Sequence, residues 1–460
     1  MHSGSGTLQL RDKMGVGRHG RIAAGFIACA MGFGGGGSPS PAAEMLVQLA
    51  FVAALLAWLW WAGPEDRKIS RPLLYLGLAI LALPLLQLVP LPPTLWQALP
   101  GRELQVASLS LIGAEGSWRP LTVSPSLTLA AFLVLVPAVG TMWAVSTLSR
   151  KDRRFLLLVI ALVGLGGAFL GAVQLVGGPE AFRLYEKSHR GWLTAFHANR
   201  NAAADVLLIA SLALGAWFAS HRDEVRRKRI SPMIVIAQIV FLVAVLLTGS
   251  RAGIALLLVA LVFHWLMLRG EEASRRGKAL IAGAGLLAGA LLSLPFVLGG
   301  GGRLAGVAAR FDATSDARIP LWTDTLAAID SFGWAGSGLG SFTKAFLPHE
   351  SLEHLVPAFP NRAHNDYLEF VLEAGLLAPV LLIVAAIVLF ALARRAWRVS
   401  PSEHCAQLFA IGTLAIVALH SIVDYPLRNM AIACLAACAA GLLAPSPGGS
   451  KGRERRDSKA

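Results

Sequence analysis

The chain has 460 residues, of which 55% are hydrophobic and 15% charged, with a formal net charge of +14 and a mean hydropathy of +0.61. This balance excludes an ordinary soluble domain and indicates a polytopic membrane protein, because apolar runs of about 20 residues recur along the whole length. The Lys and Arg cluster in short loops between those runs, so the basicity reports topology rather than a nucleic-acid-binding face.

The N-terminal stretch places Arg11, Lys13, Arg18 and Arg21 ahead of IAAGFIACAMGFGGGG. It fits either a signal sequence, with PSPAAE near a cleavage site, or a short Gly-rich first span over 22–38. No clear A-x-A site follows, which favours the span. Further spans are predicted over 44–63, 73–92, 127–147, 155–177, 202–220, 232–248, 252–268, 279–299, 368–393, 406–423 and 429–444. The expected fold is therefore an all-α integral membrane protein of about 12 transmembrane helices, or 11 if the first segment is cleaved or does not span. About two thirds of the 41 Lys and Arg fall in alternate loops, 1–21, 64–72, 148–154, 221–231, 269–278, 394–405 and the tail after 445. Those loops are read as cytoplasmic, and the others face outward.

Organisation follows from that map. A basic N-terminus with the possible first span (1–43) precedes N-terminal helices (44–154) and central helices (155–299). A large outward loop (300–367), C-terminal helices (368–444) and a basic tail (445–460) complete the chain. Within the large loop, RIPLWTDTLAAI (318–329) has apolar residues at helical spacing and reads as an amphipathic helix. GWAGSGLGSF (333–342) reads as a Gly-rich turn. Cys29, Cys405, Cys434 and Cys438 lie in or beside apolar segments and read as small packing residues. No further Cys or His completes a metal pattern around them.

The polar residues that invite chemistry all fall on the outward side. In HANRNAAADVLL, Arg200 stands between Asn199 and Asn201 where a helix begins. One Asn suits the N-cap, whereas a cation there is unfavourable unless an anion is bound. In LLTGSRAGIALLL, Arg251 is held near membrane depth by a tight turn and needs a partner. That partner is either a carboxylate of Glu369, Glu373 or Asp424, or a phosphate gripped bidentately.

At AHNDYLEFVLEAGL, Asn361 or Asn365 suits a cap, Asp366 suits the first turn, and Glu369 and Glu373 share a helix face from which they orient arginines. His364 sits at the same helix start, where a neutral imidazole accepts a proton from a hydroxyl. HSIVDYPLRNMA adds Asp424 and Arg428 in another outward turn. With Arg318, four arginines face outward at the bilayer edge, beside one His and several carboxylates. Such a set suits a lipid-linked diphosphate. The sequence contains no Walker motif, no DxD-like metal pair and no Ser-His-Asp spacing, so no cofactor and no metal are expected.

NRN, LTGSRAG, GSGLGSF, AHNDYLEFVLEAGL and HSIVDYPLR, in this order and sidedness, resemble the O-antigen ligase and Wzy-type polymerase superfamily of O-antigen and exopolysaccharide synthesis. The resemblance runs from about 155 to 440. It implies a GT-C-like transferase of the bacterial inner membrane with its site facing the periplasm, working without metal or nucleotide sugar. The reaction it implies moves a glycan from undecaprenyl diphosphate to an acceptor hydroxyl, on a growing polysaccharide or lipid A core, with inversion at the anomeric carbon. It also implies that Arg200 and Arg251 bind the diphosphate, with Arg318 and Arg428 as further candidates, and that His364 acts as base or positions the acceptor. The chain departs from some relatives at Ala202, where they carry a His. The likeness inclines toward a polymerase. A lipid-linked glycan transporter, or a non-catalytic subunit of an assembly complex, is the alternative reading of buried charges among apolar helices.

Overall fold

The computed structural model describes residues 15–36, 40–61, 68–221, 231–269, 318–355 and 360–447. The described helices are α1 Arg18–Phe33, α2 Pro41–Trp60, α3 Arg71–Gln87, α4 Pro93–Trp96, α5 Glu103–Ser110, α6 Pro125–Ser146, α7 Arg150–Gly177, α8 Arg200–Ser220 and α9 Ser231–Leu247. They continue with α10 Arg251–Leu268, α11 Arg318–Phe332, α12 Phe342–Phe346, α13 Asp366–Ala374, α14 Leu377–Val399, α15 His404–His420 and α16 Met430–Leu442. The strands β1 Pro90–Leu91 and β2 Arg119–Pro120 pair antiparallel, Pro90 opposite Pro120 and Leu91 opposite Arg119.

Six described helices are long and apolar enough to cross a membrane: α2, α6, α7, α8, α10 and α14. Four more, α3, α9, α15 and α16, are shorter and apolar. The expected spans that fall on described residues each correspond to a helix within a few residues, with one correction. The run predicted as a single span over 368–393 is two helices, α13 and α14. Gly375 ends α13 at φ +54°, and a Cβ there would run into the backbone of Trp334 and Ala335. The predicted span over 279–299 and the start of the large loop, 300–317, lie outside the described residues.

Segment 22–38 contributes α1, which ends at Phe33. Its N-terminal end meets Asp152, whose carboxylate accepts from the Gly17 amide at 2.7 Å. Its far end meets α16, where the Ala431 amide donates to the Gly34 carbonyl at 3.1 Å. The helix thus runs the depth of the bundle. Between these levels it packs on α7, α2 and α16.

The centre of the bundle is α8. Leu, Ala, Val and Ile fill its sides, and it is buried along most of its length. It packs on α7, α9, α10 and α15. Small residues permit the close approaches: a Cβ on Gly164 of α7 would strike Ala210, and one on Gly253 of α10 would meet the Ala204 methyl at 2.5 Å. Between apolar helices in lipid, such tight packing replaces the hydrophobic drive that water supplies elsewhere.

The Gly-rich turn 333–342 docks behind α13. Ser337 and Gly338 donate their amides to the carbonyls of Leu372 and Glu373, both at 2.9 Å. Gln87, at the end of α3, joins both parts: its Nε2 donates to the Glu373 carbonyl at 2.9 Å and its Oε1 accepts from the Leu339 amide at 2.8 Å. Arg102 is almost wholly buried beside this turn and donates to the carbonyls of Leu121 at 2.6 Å and Gly336 at 3.0 Å. Burial lowers its pKa to about 10, against the opposing pull of Glu103.

Candidate active site

Five motifs converge at one end of the bundle. Arg200 and Arg251 are the first residues of α8 and α10, and the contact of Gly253 with Ala204 sets those two helix starts side by side. Each start has its cap: the Asn199 side chain accepts from the Asn201 amide at 2.8 Å, and Ser250 Oγ accepts from the Gly253 amide at 3.1 Å. Two positive helix ends and two guanidinium-bearing residues thus meet in one region, an arrangement that favours an anion.

Trp192 connects the two. The Arg200 guanidinium lies 4.9 Å from the Trp192 ring centroid. The same ring packs on Gly249, in the turn before Arg251, so closely that a Cβ there would overlap it. Gly249 has φ +61°, a left-handed conformation that glycine adopts without strain. Arg200 is buried and its Nε has no hydrogen-bond partner among the described residues.

The flanking asparagines reach the other way. Asn201 Nδ2 donates to Asp424 Oδ2 at 2.6 Å, and Asn199 Nδ2 donates to the Tyr425 hydroxyl at 3.5 Å. Asp424 Oδ1 lies 3.0 Å from His364 Nδ1. Since a carboxylate only accepts, Nδ1 carries the hydrogen, which in the neutral ring leaves Nε2 as the acceptor. The His364 side chain is one-third exposed, and its ring meets Tyr425 edge-on at 4.8 Å. Burial pushes Asp424 up, but the His364 hydrogen bond, the neighbouring imidazoles and Asn201 outweigh it and hold the carboxyl at about 2. Burial beside Asp424 raises the Tyr425 phenol to about 12.

His364 itself has φ +49°, uncommon for a residue with a side chain and a conformation that neighbouring contacts must enforce. They do so on both sides. The Ala363 amide donates to Glu369 Oε2 at 3.0 Å and its carbonyl accepts from Trp322 Nε1 at 3.0 Å. Asn365 caps α13 through the Tyr367 and Leu368 amides, at 3.0 and 3.1 Å. The Asp366 amide donates to the carbonyls of Ser421 at 2.9 Å and Asp424 at 3.2 Å.

The carboxylates of α13 hold a second cluster. Arg428 Nη2 donates to Glu373 Oε2 at 2.7 Å, and its Nε lies 3.4 Å from Glu369 Oε1 and 3.6 Å from Asp366 Oδ1. Arg362 adds a 2.9 Å contact to Glu369. Asp366 Oδ2 accepts from Ser421 Oγ and the Leu427 amide, both at 3.0 Å. Burial lifts the Asp366 carboxyl to about 6 against the pull of Arg428. The three carboxylates raise Arg428 above the usual arginine range, although burial alone would lower it.

Arg428, expected at a diphosphate, lies in this geometry among carboxylates. Its guanidinium is committed to three buried carboxylates, and the side chain is 15% exposed. The arginines that Glu369 and Glu373 contact are Arg362 and Arg428. Arg318 heads α11 and faces His420 electrostatically, which brings it to the same end of the bundle.

Sequence reasoning missed Asp205 and His420. Asp205, one turn into α8, lies 2.6 and 2.7 Å from His420 Nδ1 through its two oxygens. An aspartate inside an apolar span was the available signal. Trp322 carried none, because its partner is a backbone carbonyl 41 positions away, and Trp192 and Arg362 lie in loops whose local pattern does not announce a role. Among the described residues no group of three or more His, Cys, Asp or Glu is arranged to hold a metal ion.

Residues 236–383, about a third of the chain, match the family model described as O-antigen ligase. The match bears out the family resemblance drawn from the motifs. It contains Arg251, Arg318 and His364, whereas Arg200, Asp424 and Arg428 lie outside it. No curated protein matches the chain. Together with the apolar helices, the match points to an integral membrane protein of the surface-polysaccharide class, with a glycosyltransferase type of activity.

Proposed function

We propose, with the O-antigen ligase match as premise, that this protein transfers or polymerises glycan from undecaprenyl diphosphate onto an acceptor sugar hydroxyl at the periplasmic face of the inner membrane. The observation that carries the reading is the convergence of the α8 and α10 starts, with Arg200 and Arg251, on the same end as the His364–Asp424 pair. In this reading Arg200 and Arg251 hold the diphosphate, and Arg318 flanks it. Arg428, Glu369 and Glu373 brace the backbone that presents His364.

The chemistry follows from these positions. His364 Nε2 takes the proton of the acceptor hydroxyl, while Asp424 holds Nδ1–H and steadies the imidazolium that forms. The hydroxyl oxygen bonds to the anomeric carbon from the face opposite the diphosphate, and configuration inverts. The bond from that carbon to the diphosphate oxygen breaks, and the electron pair leaves with undecaprenyl diphosphate. Fixed arginines at helix starts stabilise the charge that develops there without reorganising. Alignment of hydroxyl and anomeric carbon supplies the rest. The lipid tail lies among the apolar helices, and the glycan extends outward.

The test is a reaction of the purified protein with undecaprenyl-diphosphate-linked repeat units, with and without lipid A core, read on a gel. A ladder without core identifies a polymerase, and a single core-dependent transfer identifies a ligase. No release of undecaprenyl diphosphate in either reaction overturns the transferase reading and favours a transporter or an assembly subunit.

A further inference from the structure

Four ionisable groups line up behind the site, alternating carboxylate and imidazole: Asp205, His420, Asp424 and His364. His420 Nδ1 is 2.6 Å from the nearer Asp205 oxygen. His420 Nε2 is 3.9 Å from Asp424 Oδ2 and has no hydrogen-bond partner among the described residues. Asp424 Oδ1 then meets His364 Nδ1 at 3.0 Å. Asp205 and His420 are fully buried, so neither touches a substrate in this arrangement. Asp205 is also the single acid of α8, whose other buried positions beyond Arg200 are apolar or small. Packing alone gives no reason for it.

Two buried carboxylates facing one imidazole are costly unless that imidazole carries a positive charge. Asp205 fixes the hydrogen on Nδ1. A second hydrogen on Nε2 lies toward Asp424 at a distance too long for a hydrogen bond but short enough for strong attraction in a buried site. The other charged group facing His420 is Arg318, from α11. His364 faces Asp424 and the ring of Tyr425, with Arg362 close to Tyr425.

The balance of charge at Asp424 decides what His364 can do. A carboxylate bonded to His364 alone draws a proton onto the imidazole and removes the lone pair that a base needs. A cation on the opposite side of Asp424 weakens that pull. We propose that Asp205 and His420 form a buried charge-balancing dyad that acts on His364 through Asp424 and keeps it a neutral, proton-accepting imidazole. Asp205 and His420 are thus positioning residues. The inference rests on the proposed role of His364 as base.

The experiment is the initial rate of the full chain in lipid nanodiscs, with undecaprenyl-diphosphate-linked repeat unit as donor, followed between about pH 5 and pH 9. In Asp205→Asn, His420 loses its nearer anion and with it part of the hold on its charge, and Asp424 pulls harder on His364. The acid limb of the rate profile is expected to move up by about one pH unit, a roughly tenfold loss below the limb, with recovery to within about threefold of wild type above it. His420→Gln should move the limb the same way, and it carries the test if Asp205→Asn does not accumulate. A loss of equal factor at every pH, or no shift in the limb, overturns the dyad. His364→Ala separates the two levels. Full turnover in that variant removes the base reading itself, whereas an inactive His364→Ala with an unmoved limb in Asp205→Asn removes the dyad alone.

Discussion

Replacing Arg428 with Met distinguishes a brace from a ligand. The side chain lies among Asp366, Glu369 and Glu373, with contacts of 3.6, 3.4 and 2.7 Å. Arg362 pairs directly with Glu369 and reaches Glu373 only through space. Removing one partner of a buried ion pair costs about 3–5 kcal/mol, because the other charge is left in a poor dielectric. The loss here falls within that range, since Arg362 still acts on Glu373 through space while Asp366 keeps only neutral donors.

Arg428→Met should therefore lower the thermal midpoint of the detergent-solubilised protein markedly. Arg428→Met combined with Glu373→Gln should recover part of it, because the double variant buries one charge fewer. The assay is thermal unfolding followed by size-exclusion fluorescence, beside donor KM on the folded fraction. An unchanged midpoint with a raised donor KM refutes the brace and returns Arg428 to the diphosphate.

Trp192→Ala removes the surface on which Arg200 rests, worth about 0.5–2 kcal/mol. Donor KM should rise by about 2- to 30-fold with little change in kcat, measured by steady-state transfer. Gly249→Ala forces a side chain into a left-handed position against Trp192 and should reproduce that KM effect together with a lower midpoint. His364→Gln should reduce kcat by about 10²–10⁴ while donor KM stays near wild type, as expected for loss of a general base. Asp424 is held at about 2, a depressed pKa. The stability it contributes is complete above the unfolded carboxylate range and is lost only as pH falls through that range toward 2. An acid limb of activity well above that range should therefore not report Asp424, which comparison of the wild-type and His364→Gln profiles would check.

The sequence made the helices legible because each apolar run carries its own length and bounding charges. It did not make the break at Gly375 legible, since LEAGLLAP stays apolar across it and the backbone of Trp334 that requires the break lies 41 positions earlier. The same limit applied at the site. NRN, SRAG and AHND announced themselves by polar residues at helix starts. The role of Arg428 depended on carboxylates 55 or more positions away, and the Asp205–His420 contact joins residues 215 positions apart. Local pattern shows that a charge is present at an apolar edge, and only the fold shows which partner neutralises it.

The packing of α1 bears on how such a chain can be assembled. Its partners are α2 and α7, and then α16, the last described helix. The Gly34 carbonyl waits for the amide of Ala431, nearly the whole chain later. During synthesis α1 therefore waits with one flank unmatched while the described helices between are made, and that flank is covered only when α16 arrives. Long-range closure of this kind slows folding and exposes the unmatched flank in the meantime. A chain truncated before residue 430 would leave α1 unmatched for good, and membrane quality-control proteases would meet that flank first.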